Sequence, residues 1–132
     1  MPAKHASKKG RNLILVVEDD PTIARLLNHW LIQRGYEVEI LPNGRIAIDR
    51  ITADEALPKM VFLDIMMPFA DGFEVLTNIR SRKAWKKVPV IMVTSKSSES
   101  TIVKAFEAGA NDYVTKPFRP NELMMRMNRL LS

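Results

Sequence analysis

Short runs that are apolar at every position alternate along the chain with longer segments in which apolar residues recur every three or four positions. Uninterrupted apolar runs are typical of strands covered on both faces, as in a parallel sheet, and the longer spacing is typical of helices with one buried face. Five helices are predicted, beginning near positions 21, 45, 73, 99 and 120. Five strands are predicted, at 13–17, 36–41, 60–63, 90–93 and 112–115.

Short polar residues, prolines and glycines mark the predicted helix ends. Asp20 and Ser98 are predicted N-caps, because their side-chain oxygens can accept hydrogen bonds from the free amides of a first helical turn. Pro21 then suits the first helical position, and glycines such as Gly35 and Gly109 are typical of helix ends. Asp20 is therefore expected to cap the first helix and not to bind a metal.

The regular alternation of strand and helix predicts an α/β fold with a doubly wound, five-stranded parallel sheet and five helices on its two faces. In the flavodoxin-like strand order 2-1-3-4-5, strands one and three are neighbours, and their carboxyl ends border the point where ligands bind. The polar residues that follow these two strands are therefore expected to lie side by side.

Length and composition narrow the class of protein. With 132 residues the chain has room for one core, and it has no cysteine, which excludes disulfides, thiolate metal sites and cysteine nucleophiles. No apolar run is long enough for a membrane helix. A cytoplasmic protein without membrane contact is expected.

Four of the five units of formal net positive charge lie in residues 1–11, which hold four cations and no acid. We expect residues 1–11 to be a disordered basic tail and residues 12–132 to form the domain. A second basic cluster surrounds Trp85, whose ring is predicted to be exposed. Such a cluster could bind an acidic partner or nucleic acid, but a solvated helix end and loop is preferred, and direct DNA binding by this domain is not expected. Its cations are Arg80, Arg82, Lys83, Lys86 and Lys87.

Carboxylates follow the first and third predicted strands. Glu18 and Asp19 come directly after the first strand, and Asp64 ends the third. Crowded carboxylates raise one another's pKa unless a cation lies among them, and Mg²⁺ is commonly held by one or two carboxylates together with phosphate oxygens. Thr94 and Lys116, after the fourth and fifth strands, would offer a hydroxyl and an ammonium to a phosphoryl group. The pattern indicates phosphoryl transfer to Asp64 as nucleophile.

Four motifs together resemble the response-regulator receiver domain of two-component signalling, of the chemotaxis-Y-like type. The resemblance covers roughly residues 12–131. The motifs are VVEDD at 16–20, LDIMMP at 63–68, VTS at 93–95 and KPF at 116–118.

This resemblance implies a phosphoacceptor site that binds Mg²⁺. Asp64 would be the phosphoacceptor and a metal ligand, Asp19 would ligate the ion directly, and Glu18 would act through a metal-bound water. Met66 would offer its backbone carbonyl to the same ion.

The resemblance also implies a switch. Thr94 and Lys116 would contact the phosphoryl oxygens, and the bond between Lys116 and Pro117 is expected to be cis. Tyr113 matches an aromatic position that turns inward as Thr94 shifts toward the phosphoryl group. The last two helices and the last strand would then change their surface.

The implied partners are a sensor histidine kinase or phosphotransfer protein as donor, and a downstream target or an output domain outside this chain. Dimerisation through the last helices and strand is a further expectation. The domain would assist its own phosphorylation and dephosphorylation without being an enzyme that acts on other substrates.

Three alternatives fit the residues less well. A phosphohydrolase of this kind requires a second acid two residues after its nucleophile as the general acid. This chain has Met66 at that position, and methionine cannot donate a proton. A flavin or nucleotide binder would want a loop rich in glycine, serine or threonine after the first strand, where this chain has three acids. A degenerate receiver that acts as a constitutive scaffold would not need the complete set of acids, hydroxyl and lysine.

Overall fold

The computed structural model describes residues 12–53 and 55–131, so the expected tail at 1–11 lies outside the described residues. The strands are β1 (Leu13–Val17), β2 (Glu37–Leu41), β3 (Met60–Leu63), β4 (Val90–Thr94) and β5 (Asp112–Thr115). The helices are α1 (Pro21–Gln33), α2 (Gly44–Thr52), α3 (Gly72–Ser81), α4 (Glu99–Glu107) and α5 (Pro120–Leu131). A short 3₁₀ helix at Lys83–Trp85 follows α3.

The five strands form one parallel sheet in the order β2-β1-β3-β4-β5, which confirms the predicted flavodoxin-like topology. Val17 at the end of β1 is paired with Leu63 at the end of β3. The residues that follow these two strands therefore begin at the same edge of the sheet, where open α/β sheets bind ligands.

Both faces of the sheet are covered, which explains why the central strands are apolar at every position. One face packs against α2, α3 and α4, with Leu15, Leu63 and Met92 in its core. The other face packs against α1 and α5, with Phe62 among its largest buried side chains. Within the described residues, no helix has the length and apolar composition that a membrane span requires.

Side-chain hydrogen bonds cap the N-termini of the helices, as the polar pattern predicts. Asp20 accepts a hydrogen bond from the Thr22 amide at 2.9 Å, and Ser98 accepts one from the Thr101 amide at 3.3 Å, so both predicted caps are confirmed. Helix α2 begins one residue earlier than predicted, at Gly44. A Cβ atom there would lie 1.9 Å from the Ala70 carbonyl oxygen, so this close approach requires glycine.

The predicted exposure of Trp85 is wrong. Its side chain is 2% exposed and belongs to the core under α3, where the guanidinium of Arg50 lies 5.8 Å from the ring centroid. The 3₁₀ helix at Lys83–Trp85 turns the ring inward while its charged neighbours stay at the surface. A three-residue turn is too short to show periodicity, so the charged neighbours alone led to the prediction of exposure.

Candidate functional site

Three carboxylates converge at the carboxyl edge of the sheet. Glu18, Asp19 and Asp64 each offer an oxygen, and these oxygens lie within 4.8 Å of one another. Glu18 and Asp64 are only 3% and 5% exposed, whereas Asp19 is exposed. The strand pairing explains the convergence, because Glu18 follows Val17 and Asp64 follows Leu63.

One ammonium connects two of these acids. Lys116 Nζ lies 2.8 Å from Glu18 Oε1 and 3.1 Å from Asp64 Oδ2. The Lys116 amide donates a hydrogen bond to the Thr94 carbonyl oxygen at 2.9 Å, which fixes the start of the loop after β5. The bond between Lys116 and Pro117 is cis, as expected. The residues that directly follow β1, β3 and β5 thus meet at one point.

The electrostatics of this cluster leave negative charge in excess. Burial raises the pKa of Glu18 to about 7, the hydrogen bond from Lys116 opposes this rise, and the charge of Asp64 adds to it. Burial lowers the pKa of Lys116, but its hydrogen bond to Glu18 and the two nearby carboxylates outweigh burial, and the pKa is raised overall. Lys116 therefore stays charged, and among the described residues it is the one cation within ion-pair distance of these three acids. This oxygen donor set with unbalanced charge fits a hard divalent cation.

The neighbouring strand end carries the predicted hydroxyl. Leu63 is paired with Met92, so Asp64 is level with Val93, and Thr94 comes one residue later. Thr94 is fully buried, and its hydroxyl oxygen accepts a hydrogen bond from the Lys96 amide at 3.3 Å. The hydroxyl and the loop that leads to α4 are thereby connected.

Tyr113 is tied to the same loop. Its side chain is 8% exposed, and its hydroxyl donates a hydrogen bond to the Lys96 carbonyl oxygen. Burial raises the pKa of the phenol, and the charge of Asp64 raises it further. A change of charge at Asp64 would therefore alter the pKa of Tyr113, although Asp64 follows β3 and Tyr113 lies on β5.

The loop after β3 forms the mouth of the site. The Met66 amide donates a weak hydrogen bond to Asp64 Oδ1 at 3.4 Å, and the Met66 side chain is exposed. Phe69 is 82% exposed and has a φ of 73°, in the left-handed region that a non-glycine residue seldom adopts. This part of the loop is therefore strained, and its aromatic ring lies in solvent.

Sequence reasoning missed one contact beside the site. An open cleft of about 520 Å³ is lined by Asp19 and Met66 together with Phe73 of α3 and Lys104 of α4. The ammonium of Lys104 lies 4.3 Å from the Phe73 ring centroid, a cation–π contact between the two helices. The apolar spacing of α3 places Phe73 inward, yet its ring is only half-buried, and no sequence signal pairs it with a lysine of another helix.

Comparison with known proteins points to one family. Residues 14–128 match the family model described as the response regulator receiver domain. The transcriptional regulatory protein ResD of Bacillus subtilis is 43% identical over 118 residues, which are 89% of this chain and 47% of ResD. The transcriptional regulatory protein SrrA of Staphylococcus aureus is 39% identical over 120 residues, which are 91% of this chain and 48% of SrrA. The chain thus spans about half the length of these curated relatives.

Solved structures of similar fold point the same way. A response regulator of Chloroflexus aurantiacus is 36% identical with a TM-score of 0.84, and the match covers 92% of this chain and 98% of that one. The receiver domain of a sensor histidine kinase of Pseudomonas aeruginosa is 27% identical with a TM-score of 0.80, and the match covers 92% and 98% of the two chains. The Pseudomonas structure has a magnesium ion coordinated in its active-site cleft.

Proposed function

Because the chain belongs to the response regulator receiver domain family, we propose that Asp64 is its phosphoacceptor and that a histidine kinase or phosphotransfer protein is the donor. The observation that carries this proposal is the convergence of Glu18, Asp19 and Asp64, whose oxygens lie within 4.8 Å of one another. The ammonium of Lys116 pairs with Glu18 and Asp64. Residues 12–132 would form this domain of a cytoplasmic signalling protein. Its chemistry would be limited to its own phosphorylation and dephosphorylation.

The three acids would hold Mg²⁺, with Asp19 and Asp64 as direct ligands and Glu18 acting through a water. Met66 would add its backbone carbonyl. When bound, the ion supplies positive charge to the phosphoryl oxygens. The excess of carboxylates over ammonium supports this assignment, since the site lacks the positive charge that a phosphoryl dianion requires.

Asp64 would act as the nucleophile. One of its carboxylate oxygens forms a bond to phosphorus while the bond from phosphorus to the donor histidine nitrogen breaks, and the electron pair of that bond returns to the imidazole. Lys116 Nζ, 3.1 Å from Asp64 Oδ2, is placed to pair with a phosphoryl oxygen attached there. Thr94 would donate its hydroxyl to another phosphoryl oxygen.

The new charge at Asp64 would then alter a surface. A shift of Thr94 toward the phosphoryl group would release or move the loop that its hydroxyl and Tyr113 both contact at Lys96. That loop leads into α4, so the surface of α4, β5 and α5 would change. Dimerisation or target binding through this surface would carry the signal onward.

The relatives suggest the kind of output. ResD and SrrA are transcriptional regulatory proteins about twice the length of the matched region. We infer that this chain controls a transcriptional output, either through a further domain or through a separate target protein.

The phosphoacceptor is tested by incubation with Mg²⁺ and acetyl phosphate, followed by intact mass measurement. The wild-type chain is expected to gain one phosphoryl group that is removed by hydroxylamine and is not formed in the presence of a chelator. Asp64→Asn is expected to gain none. Asp71→Asn is the matched control, since Asp71 lies on the same loop but caps α3, a role that asparagine also fills. A stable adduct, or one that Asp64→Asn retains, contradicts the assignment.

A further inference from the structure

Exposed cations are concentrated at the amino edge of the sheet. Five cations precede β3 and β4 there, whereas acids follow β1 and β3 at the carboxyl edge. Val61 of β3 is paired with Val90 of β4, so these two groups of cations begin at neighbouring positions. We call them the basic edge: Lys59, Arg82, Lys83, Lys86 and Lys87.

The cations of the basic edge are free to bind a partner. All five side chains are exposed, and in the part of the chain that the structure describes none of them forms an ion pair. No acid of the described chain is therefore paired with them, and a polyanion would lower their mutual repulsion.

Arg80 holds the backbone that carries four of these cations. Its guanidinium donates hydrogen bonds to the carbonyl oxygens of Lys86 at 3.1 Å and Val88 at 2.8 Å, and to that of Gly109 at 2.9 Å. It also donates to Asn111 Oδ1 at 2.8 Å, which in turn accepts a hydrogen bond from the Val90 amide. The loop is thus ordered before any partner arrives, so binding does not have to pay the conformational entropy of ordering it.

The composition of the basic edge favours phosphate over protein as its ligand. Trp85 is buried, and Ala84 is the one exposed apolar residue between Arg82 and Lys87. Protein interfaces are centred on exposed aromatic or arginine anchors and are poor in lysine, whereas lysine ammonium groups bind phosphates as point charges. Binding of single strands needs aromatic faces on which bases stack, and the Trp85 ring is not available for this.

We propose that the basic edge binds the phosphate backbone of duplex DNA without reading its sequence. The sequence interpretation treated this cluster as a solvated loop, and the fixation by Arg80 and the burial of Trp85 are the reasons to depart from it. The surface lies at the opposite edge of the sheet from Asp64, so the proposal does not depend on the phosphoacceptor assignment.

The experiment measures the fluorescence anisotropy of a short labelled duplex of arbitrary sequence, titrated with the full chain over a range of salt concentrations. The patch variant combines Lys83→Gln, Lys86→Gln and Lys87→Gln. The matched control combines Arg25→Gln, Lys96→Gln and Arg119→Gln, which remove the same charge from exposed positions outside the basic edge.

We expect the patch variant to bind the duplex about tenfold or more weakly at low salt, and the slope of log K against log salt to become shallower by about 2.7, or 0.9 for each lost phosphate contact. The control is expected to change affinity far less. Equal losses in the two variants would overturn the proposal, because net charge alone would then explain binding. Tighter binding to the single strand or to a polyglutamate peptide, or no duplex binding by the wild-type chain, would also overturn it.

Discussion

The ammonium of Lys116 lies 2.8 Å from Glu18 Oε1 and joins the loop after β5 to the end of β1, strands that β3 and β4 separate in the sheet. Glu18 is 3% exposed, so the pair is largely shielded from water. Removing one partner of a buried ion pair lowers the free energy of unfolding by more than the intact pair contributes to it, because the other charge is left buried without a partner. Lys116 is therefore expected to be important for stability as well as for the proposed phosphoryl transfer.

Lys116→Met is expected to lower the free energy of unfolding by about 3 kcal/mol in the presence of a chelator, since Glu18 and Asp64 lose their common cation. Added Mg²⁺ should restore part of this loss by supplying another positive charge. Urea denaturation with EDTA and with Mg²⁺ measures both effects. Lys96→Met, an exposed lysine, is the control and should change stability little. Equal stability of the two variants would show that the buried pair has no such role.

Thr94→Ala is expected to accept a phosphoryl group at Asp64 without the conformational response of α4 and β5. The hydroxyl accepts a hydrogen bond from the Lys96 amide, and in the proposed switch it would move toward the phosphoryl group on Asp64, which alanine does not allow. Hydrogen exchange of α4 and β5, measured before and after acetyl phosphate, should change in the wild type and not in the variant. Thr115→Ala, at the exposed end of β5, should behave as the wild type does. An unchanged response in Thr94→Ala would contradict the proposed switch.

Tyr113 should make stability depend on alkaline pH. Burial and then the charge of Asp64 raise the pKa of its phenol above the ordinary value of 10.0. At a pH between the ordinary pKa of the unfolded state and the higher pKa of the folded state, the native state keeps a proton that the unfolded state has lost. The free energy of unfolding therefore falls as pH rises above 10 and through the folded pKa. Tyr113→Phe should weaken this dependence but not abolish it, because the raised pKa of Lys116 adds a loss of stability of the same sign. Asp64→Asn should weaken it as well.

Absorbance titration of the phenolate measures this pKa directly, with Tyr113→Phe giving the difference spectrum. A phenol that ionises at its ordinary value in the folded wild type would contradict the close coupling of Tyr113 to its surroundings.

Phe69→Gly is expected to raise the free energy of unfolding by about 1 kcal/mol, because glycine adopts the left-handed conformation at Phe69 without strain. The free energy gained by relieving this strain exceeds the free energy lost with the ring's apolar contacts, since the Phe69 side chain is 82% exposed. Thermal or urea denaturation measures the difference. Phe69→Ala removes the ring but keeps the Cβ strain, so it should give no such gain. Equal stabilisation by both substitutions would mean that the ring, and not the backbone, is the cause.

The order of strands and helices was predictable because it depends on short-range patterns. Uninterrupted apolar runs identified β1, β3 and β4, which are buried on both faces, and short polar side chains such as Asp20 identified helix starts. The convergence of Glu18, Asp19 and Asp64 was also predictable, because one topological rule places the ends of strands one and three together.

The side-chain partners of individual residues were not predictable in this way. The burial of Trp85 depends on a three-residue turn. Its contact with Arg50 joins residues that are far apart in the sequence. The pairing of Lys104 with Phe73 likewise depends on how α3 and α4 lie against each other. Such contacts leave no periodic trace in the sequence.

By itself the sequence determined the α/β class and the set of acids, hydroxyl and lysine at strand ends, because apolar periodicity is a local property. The strand order followed from the general flavodoxin-like topology of such alternating chains. Only the tertiary structure decided that Lys116 bridges Glu18 and Asp64, that Tyr113 holds the loop after β4, and that Trp85 is buried while its charged neighbours form a fixed surface. These contacts depend on side-chain packing between distant segments, where a rotation of one short turn exchanges an exposed residue for a buried one.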